Sequence, residues 1–196
     1  MQMLNREKVW TYENYQSFPD DGMRYEIIEG VLYVSPAPLP LHQYLSQELQ
    51  FVLNSLRIAG LGWVFVAPFD VVLPGGTPVQ PDLFFVAKEQ RHILTPKRVD
   101  GVPKLIVEIT SPSNARHDRV TKLNLYAKAG VAHFWLLDPE ERTLEILKLD
   151  GVNYMVLAAL EPGSRFEHPD FANLVLDIDQ LFANIPPEIQ SPIAQP

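Results

Sequence analysis

The chain has 196 residues, 46% of them apolar, and a formal net charge of −8, which suits one domain, or one domain with a small decoration, around a real core. It contains no cysteine, and this excludes disulfides, thiol nucleophiles and cysteine-ligated metal centres. The acidity counts against tight metal-free binding to a phosphate backbone, which favours Lys/Arg-rich surfaces, and no apolar run reaches the about 20 residues that cross a bilayer.

In chain order, the opening stretch MQMLNREKVW has no apolar core of the signal-peptide kind, and the expected location is the cytoplasm. Thr11 caps a short helix from Tyr12 to Phe18, stopped by Pro19 and the Asp20-Asp21-Gly22 turn. RYEIIEGVLYVS, from Arg24 to Ser35, reads as two strands joined at Glu29-Gly30. Prolines 36, 38 and 40 then break regular structure. Leu41, Leu45, Leu49, Val52, Leu53 and Leu56 recur at helical spacing, so an amphipathic helix is expected from Leu41 to Ala59, ended by Gly60.

Trp63 to Leu73 reads as one or two strands bent near Pro68, followed by a turn at Pro74-Gly75-Gly76 and a short apolar strand from Asp82 to Val86. Lys88 to Val99 is a loop or irregular helix. LIVEIT, Leu105 to Thr110, is the most strand-like run and Pro112 closes it. Asp118 to Ala129 reads as a helix with Gly130 past its end. Val131 to Leu137 is a buried strand, turned by Asp138-Pro139. Arg142–Leu149 and Asn153–Ala159 form a hairpin around Asp150-Gly151, and Leu174–Ile178 is a last strand before a helical turn at Leu181 and Phe182.

The pattern points to an α/β fold in which a mixed sheet is flanked by helices, with additional antiparallel strands. Leu105 to Leu137 forms a strand–helix–strand crossover between roughly parallel strands. Residues 1–184 make one domain, and the proline-rich stretch 185–196 a loose tail.

Glu108 stands out chemically. Alternation places Leu105, Val107 and Ile109 on one face of the strand and Ile106, Glu108 and Thr110 on the other. Apolar neighbours on both faces suggest a strand covered on both sides, where an unpaired glutamate carries a large desolvation cost. The plainer reading is a partly exposed glutamate at a strand end, or one paired with Arg or Lys. Asp82 follows Pro81 and, alone, reads as a strand-start residue satisfying local backbone. On a strand beside Leu105–Thr110 it joins Glu108 in one carboxylate cluster, of the kind that holds Mg²⁺ against phosphate oxygens.

Lys122 has an ordinary partner in Asp118 four residues earlier, as a solvent-exposed helix pair. Its functional reading places the ammonium at the cluster, where it orients or helps deprotonate a water. Glu26 is a further carboxylate in an apolar strand, on the face of Ile28, and is a candidate metal ligand or water-positioning group. His42 opens the long helix and is more often a structural polar residue than a site residue. Tyr126, one turn after Lys122, reads chiefly as a core aromatic. No phosphate-binding loop, dinucleotide fingerprint, HExxH or GxSxG motif is present, and the five histidines lack metal-ligand spacing.

RYEIIEGVLYVSPAP with His42, PDLFFV at 81–86, GVPKLIVEITSPSN at 101–114, then Asp118, Lys122, Tyr126, AGV at 129–131 and FWLLDP at 134–139 occur together and in this order. The sequence resembles the Uma family of restriction-endonuclease-like proteins, a branch of the PD-(D/E)XK nuclease superfamily. The resemblance implies a restriction-endonuclease-like core and Mg²⁺- or Mn²⁺-dependent cleavage of DNA. Asp82 matches the aspartate of the PD element and Glu108 the acid of the second element. The superfamily lysine normally follows that acid after one residue, a place held here by Thr110. The family's usual reading moves it to the next helix, which points to Lys122. Glu26 matches the upstream glutamate, and Lys104 stands where an acidic residue is expected.

The mechanism implied is hydrolysis, with Asp82, Glu108, the Ile109 backbone carbonyl and a possible fourth ligand in Glu26 around the metal. Lys122 and Glu26 then position water. DNA is the substrate expected, and a homodimer the assembly. Two rivals make different predictions. A silent binding module on the same fold has no tight Mg²⁺ or Mn²⁺ site. A structural homo-oligomer has Arg or Lys partners around Glu108 and no open cleft.

Overall fold

A computed structural model describes residues 2–4, 8–111 and 117–190 of the chain. Its strands are β1 (Gln2–Leu4), β2 (Arg24–Ile28), β3 (Val31–Ser35), β4 (Gly62–Val66), β5 (Val71–Leu73), β6 (Thr77–Val79), β7 (Leu83–Ala87), β8 (Val99–Asp100), β9 (Leu105–Ile109), β10 (His133–Asp138), β11 (Thr143–Asp150), β12 (Asn153–Leu160), β13 (Arg165–Glu167) and β14 (Val175–Asp177). Its helices are α1 (Tyr12–Tyr15), α2 (Pro40–Ile58), α3 (Leu123–Ala129) and α4 (Ile178–Leu181), and a wide π-type turn, His117–Lys122, runs directly into α3.

Six strands form the central sheet in the order β12-β11-β10-β9-β7-β4. Only β9 and β10 are parallel in it, so a crossover must join them, and the π-type turn with α3 lies on that connection. Three smaller sheets surround it: β1-β3-β2, β6-β5-β8 and β13-β14.

Alternation along β9 divides the interior in two. Leu105, Val107 and Ile109 face a core shared with Leu45, Leu49, Leu53 and Leu56 of α2. These four leucines are fully buried, and each stabilises the fold by about 1.5–3 kcal/mol. Ile106 faces the opposite core, with Phe84, Phe134 and Tyr126. The expected strand covered on both sides is therefore present, and Glu108 lies on its second face.

The hairpin at Glu29-Gly30 forms with both residues at positive φ, 50° and 77°, the backbone of a two-residue turn that matches strand twist. Elsewhere the boundaries shift. The first helix ends at Tyr15, with the Asn14 side chain accepting from the Thr11 N–H. The segment Trp63–Leu73 splits into β4 and β5, which belong to different sheets. Asp150 pairs with Asn153, so Gly151-Val152 makes the second hairpin turn. In the tail, Ile185 packs on the α2 core and Pro187–Ile189 makes a 3₁₀ turn. Pro112, Ser113 and Asn114, and the tail beyond residue 190, lie outside the described residues.

A second polar feature is buried beside β10. His133 and His168 are each 3% exposed, and their rings cluster with Trp135 and Phe171. Nδ1 of His133 and Nε2 of His168 have no hydrogen-bond partner among the described residues. Burial pushes both imidazoles down to about 4, whereas a free histidine titrates near 6.5. Between those values the unfolded chain takes up protons that the folded chain refuses, so stability falls as pH falls through this window. Between about pH 7 and about pH 5 the thermal midpoint of the parent is expected to fall relative to that of a His133→Gln/His168→Gln double variant, measured by differential scanning fluorimetry.

Candidate active site

The sheet opens where the sequence placed its two acids. Pairing of β7 with β9 runs from Phe85–Leu105 to Leu83–Val107 and goes no further. Beyond it, the Ile109 N–H donates to Oδ2 of Asp82 at 2.8 Å. A side chain has replaced the next backbone rung, and the strands diverge around it. The Asp82 carbonyl accepts from Ala67 on the other side, so the residue is pinned by main chain as well as side chain.

On a strand the N–H and C=O of one residue point to the same side. The Ile109 carbonyl is therefore directed to the side on which Asp82 meets its N–H. Glu108, one residue earlier, projects through the opposite face toward the crossover. There Lys122 Nζ lies 3.0 Å from its Oε1, and the Tyr126 hydroxyl donates to the same oxygen at 2.7 Å.

Alternation on β2 puts Arg24 and Glu26 on one face, and both reach the opening. Arg24 lies 2.8 Å from Oδ1 of Asp82. Oε1 of Glu26 is 3.2 Å from Lys122 Nζ and accepts the Gln80 N–H at 3.1 Å. The first turn of α2 contributes His42, whose Nε2 is 3.0 Å from Oδ2 of Asp82.

All four sequence-predicted side chains, Asp82, Glu108, Lys122 and Glu26, thus meet. They line a cavity of about 440 Å³ together with the Ile109 backbone and Asp118. The exposed Asp118–Lys122 pair is corrected: both residues are buried, and Lys122 Nζ is 3.9 Å from the Asp118 carboxylate. Positions 118, 122 and 126 recur four apart and share the face turned to the sheet, with Tyr126 fully buried, and the first two lie in the π-type turn. Such turns recur at functional sites.

Burial and charge act differently on each acid. Burial pushes Glu108 up to about 8, against the pull of Lys122 and with the help of neighbouring Asp82. Asp118 rises to about 6 for the same reasons. Burial also works to raise Asp82, but Arg24 and His42 outweigh it and hold this carboxyl well below its ordinary value. Burial opposes the charge on Lys122, yet Glu108, Glu26 and Asp118 together keep its ammonium protonated far above the usual range.

The donor chemistry suits a hard divalent cation. Four largely buried carboxylates, Glu26, Asp82, Glu108 and Asp118, face two permanent cations, Arg24 and Lys122, which leaves a formal excess of two negative charges. Both contacts to Glu108 fall on Oε1, and Oε2 has no partner among the described residues. At the same time, among the described residues no three Asp, Glu or His side chains stand in ion-holding positions. Basic partners occupy Asp82 and Glu108 directly, so a cation must displace or share them.

A family model described as "Putative restriction endonuclease", Uma2, matches residues 12–179. The chain belongs to this family. Every site residue of the Uma2 protein named above lies inside the matched span. A solved structure from Anabaena variabilis, titled as a "putative nuclease belonging to DUF820", is 23% identical, with a TM-score of 0.73 over 88% of this chain and 97% of that one. That likeness shows the shared restriction-endonuclease-like α/β fold. No curated protein matches the chain.

Sequence reading missed Arg24, which is the direct partner of Asp82. Its position two residues before Glu26 in an alternating strand was the available signal. It also ranked Tyr126 as a core aromatic. The ring is fully buried against Phe134, but the hydroxyl serves the site. His42, ranked as structural, sits on Asp82.

Proposed function

We propose that this Uma2 protein is a Mg²⁺- or Mn²⁺-dependent endonuclease that hydrolyses DNA phosphodiester bonds. One observation carries the reading. Carboxylates from adjoining strands, Asp82 and Glu108, open with the Ile109 backbone into a single cavity that also holds a buried ammonium.

In this reading Asp82, Glu108 and the Ile109 carbonyl would hold the metal, with Glu26 next to them. The ion, when bound, polarises the scissile phosphate and acidifies a water. The remaining work falls to the chain itself. Lys122 is held protonated, so it acts as a fixed positive charge that steadies the phosphate and orients water rather than as a base. Tyr126 fixes the rotamer of Glu108 through its hydroxyl. Arg24 is placed to take up phosphate charge when Asp82 turns to the ion. A homodimer belongs to the same proposal, as does a cytoplasmic setting. No described helix is long and apolar enough to cross a membrane.

A structural role for the same residues is favoured by the direct Arg24–Asp82 and Lys122–Glu108 pairs. The open cavity speaks against it. Incubation of the purified protein with supercoiled, linear and single-stranded DNA separates the two. Nicking or cutting is expected with Mg²⁺ or Mn²⁺, abolished by EDTA and by Asp82→Asn. DNA left intact under every metal condition, or cut equally by Asp82→Asn, removes the proposal.

A further inference from the structure

Beyond the Asp82 carboxylate lies a second cavity, of about 460 Å³. It shares Arg24, Pro36, Pro38, His42 and Asp82 with the first, so the two adjoin at the aspartate. Both fall within the about 300–1,000 Å³ typical of pockets that hold a small organic molecule. Nothing in the hydrolytic scheme uses this second space.

Its walls have a distinct chemistry. Met23, Val66 and Pro68 supply apolar surface. Gln43 and Gln47 line it from one face of α2, one turn apart and exposed. Their side-chain amides have no partner among the described residues. Each amide offers donors and an acceptor on a plane, and apolar walls with a few hydrogen-bonding groups are how proteins grip an unstacked base. Glutamine is also the usual bidentate partner of adenine.

Depth supplies an independent constraint. Glu108 is 1% and Asp82 2% exposed, so a reacting phosphate must enter the first cavity to reach them. A base next to that phosphate can enter the second cavity only by leaving the stack. The net charge of −8 also gives little overall attraction for a duplex backbone.

We propose that the second cavity receives one unstacked nucleoside adjoining the scissile phosphate, so that the substrate is single-stranded or locally unpaired DNA rather than closed duplex. This rests on the nuclease reading above. Met23, Val66 and Pro68 contact the base faces, and Gln43 and Gln47 its edge.

The test uses fluorescein-labelled oligonucleotides of one sequence in three forms: single strand, duplex with a central unpaired stretch, and perfect duplex. Each is incubated with Mn²⁺ and either the parent or a Gln47→Trp variant, which fills the cavity from an exposed helix position. Polarisation of the labelled single strand without metal gives binding separately from cleavage. The single strand and the interrupted duplex are expected to be cut at least about tenfold faster than the perfect duplex, and Gln47→Trp to bind the single strand about tenfold more weakly, with an unchanged thermal midpoint. Equal cutting of the perfect duplex, or parent-like binding by Gln47→Trp, overturns the inference and leaves the nuclease reading standing. A parent protein that cuts none of the three forms overturns both.

Discussion

Lys122→Met is expected to cost the folded chain about 3–5 kcal/mol, measured by urea unfolding near neutral pH. The ammonium is 2% exposed and lies 3.0, 3.2 and 3.9 Å from Glu108, Glu26 and Asp118. Methionine matches the length of the lysine stem, so little space opens. The loss comes from three buried carboxylates left without their cation. They have an escape in taking up protons, so the deficit should shrink as the pH is lowered, while that of a simple cavity variant should not. A loss under about 1 kcal/mol, the range of an exposed pair, would show that the ammonium is not the counter-ion of this cluster.

Glu108→Gln should behave in the opposite sense. It is expected to slow DNA cleavage at least about 100-fold while melting no lower than the parent at neutral pH. Burial lifts the Glu108 carboxyl to about 8, so the metal-free fold bears a cost for its charge that the neutral form avoids. A glutamine reproduces that form, and its amide oxygen can accept from Tyr126 and Lys122 as Oε1 does. A glutamate kept for stability predicts the reverse pattern, lower melting with unaltered cleavage. Fluorimetry and a gel assay on one preparation distinguish the two.

The long-period features are legible in the order of residues alone. The leucine ladder of α2, the apolar alternation of β9 and the Glu29-Gly30 turn each have a period or a turn chemistry that local sequence cannot hide. Glu108 is legible because an acid amid apolar alternation demands a reason, and Asp82 because it matches a motif and a neighbouring strand. Strands β6, β8 and β13 are not, since two or three residues are too few to display a period. Asp118 and Lys122 carry the spacing of an exposed helix pair, and only their burial in line with Tyr126 shows that this face turns inward. Gln43 and Gln47 look like any polar helix face until a cavity is seen beside them.

The contact between the Ile109 N–H and Asp82 bears on how this family decays as well as on how it works. The aspartate stitches a strand end that nothing else closes, so its loss harms folding whether or not the protein cuts anything. The glutamate has no such second duty, because its hydrogen bonds are to side chains alone. A lineage that abandons catalysis is then free to change position 108 long before position 82. On the proposed mechanism, loss of the glutamate with the aspartate retained is the pattern expected where cleavage has been abandoned.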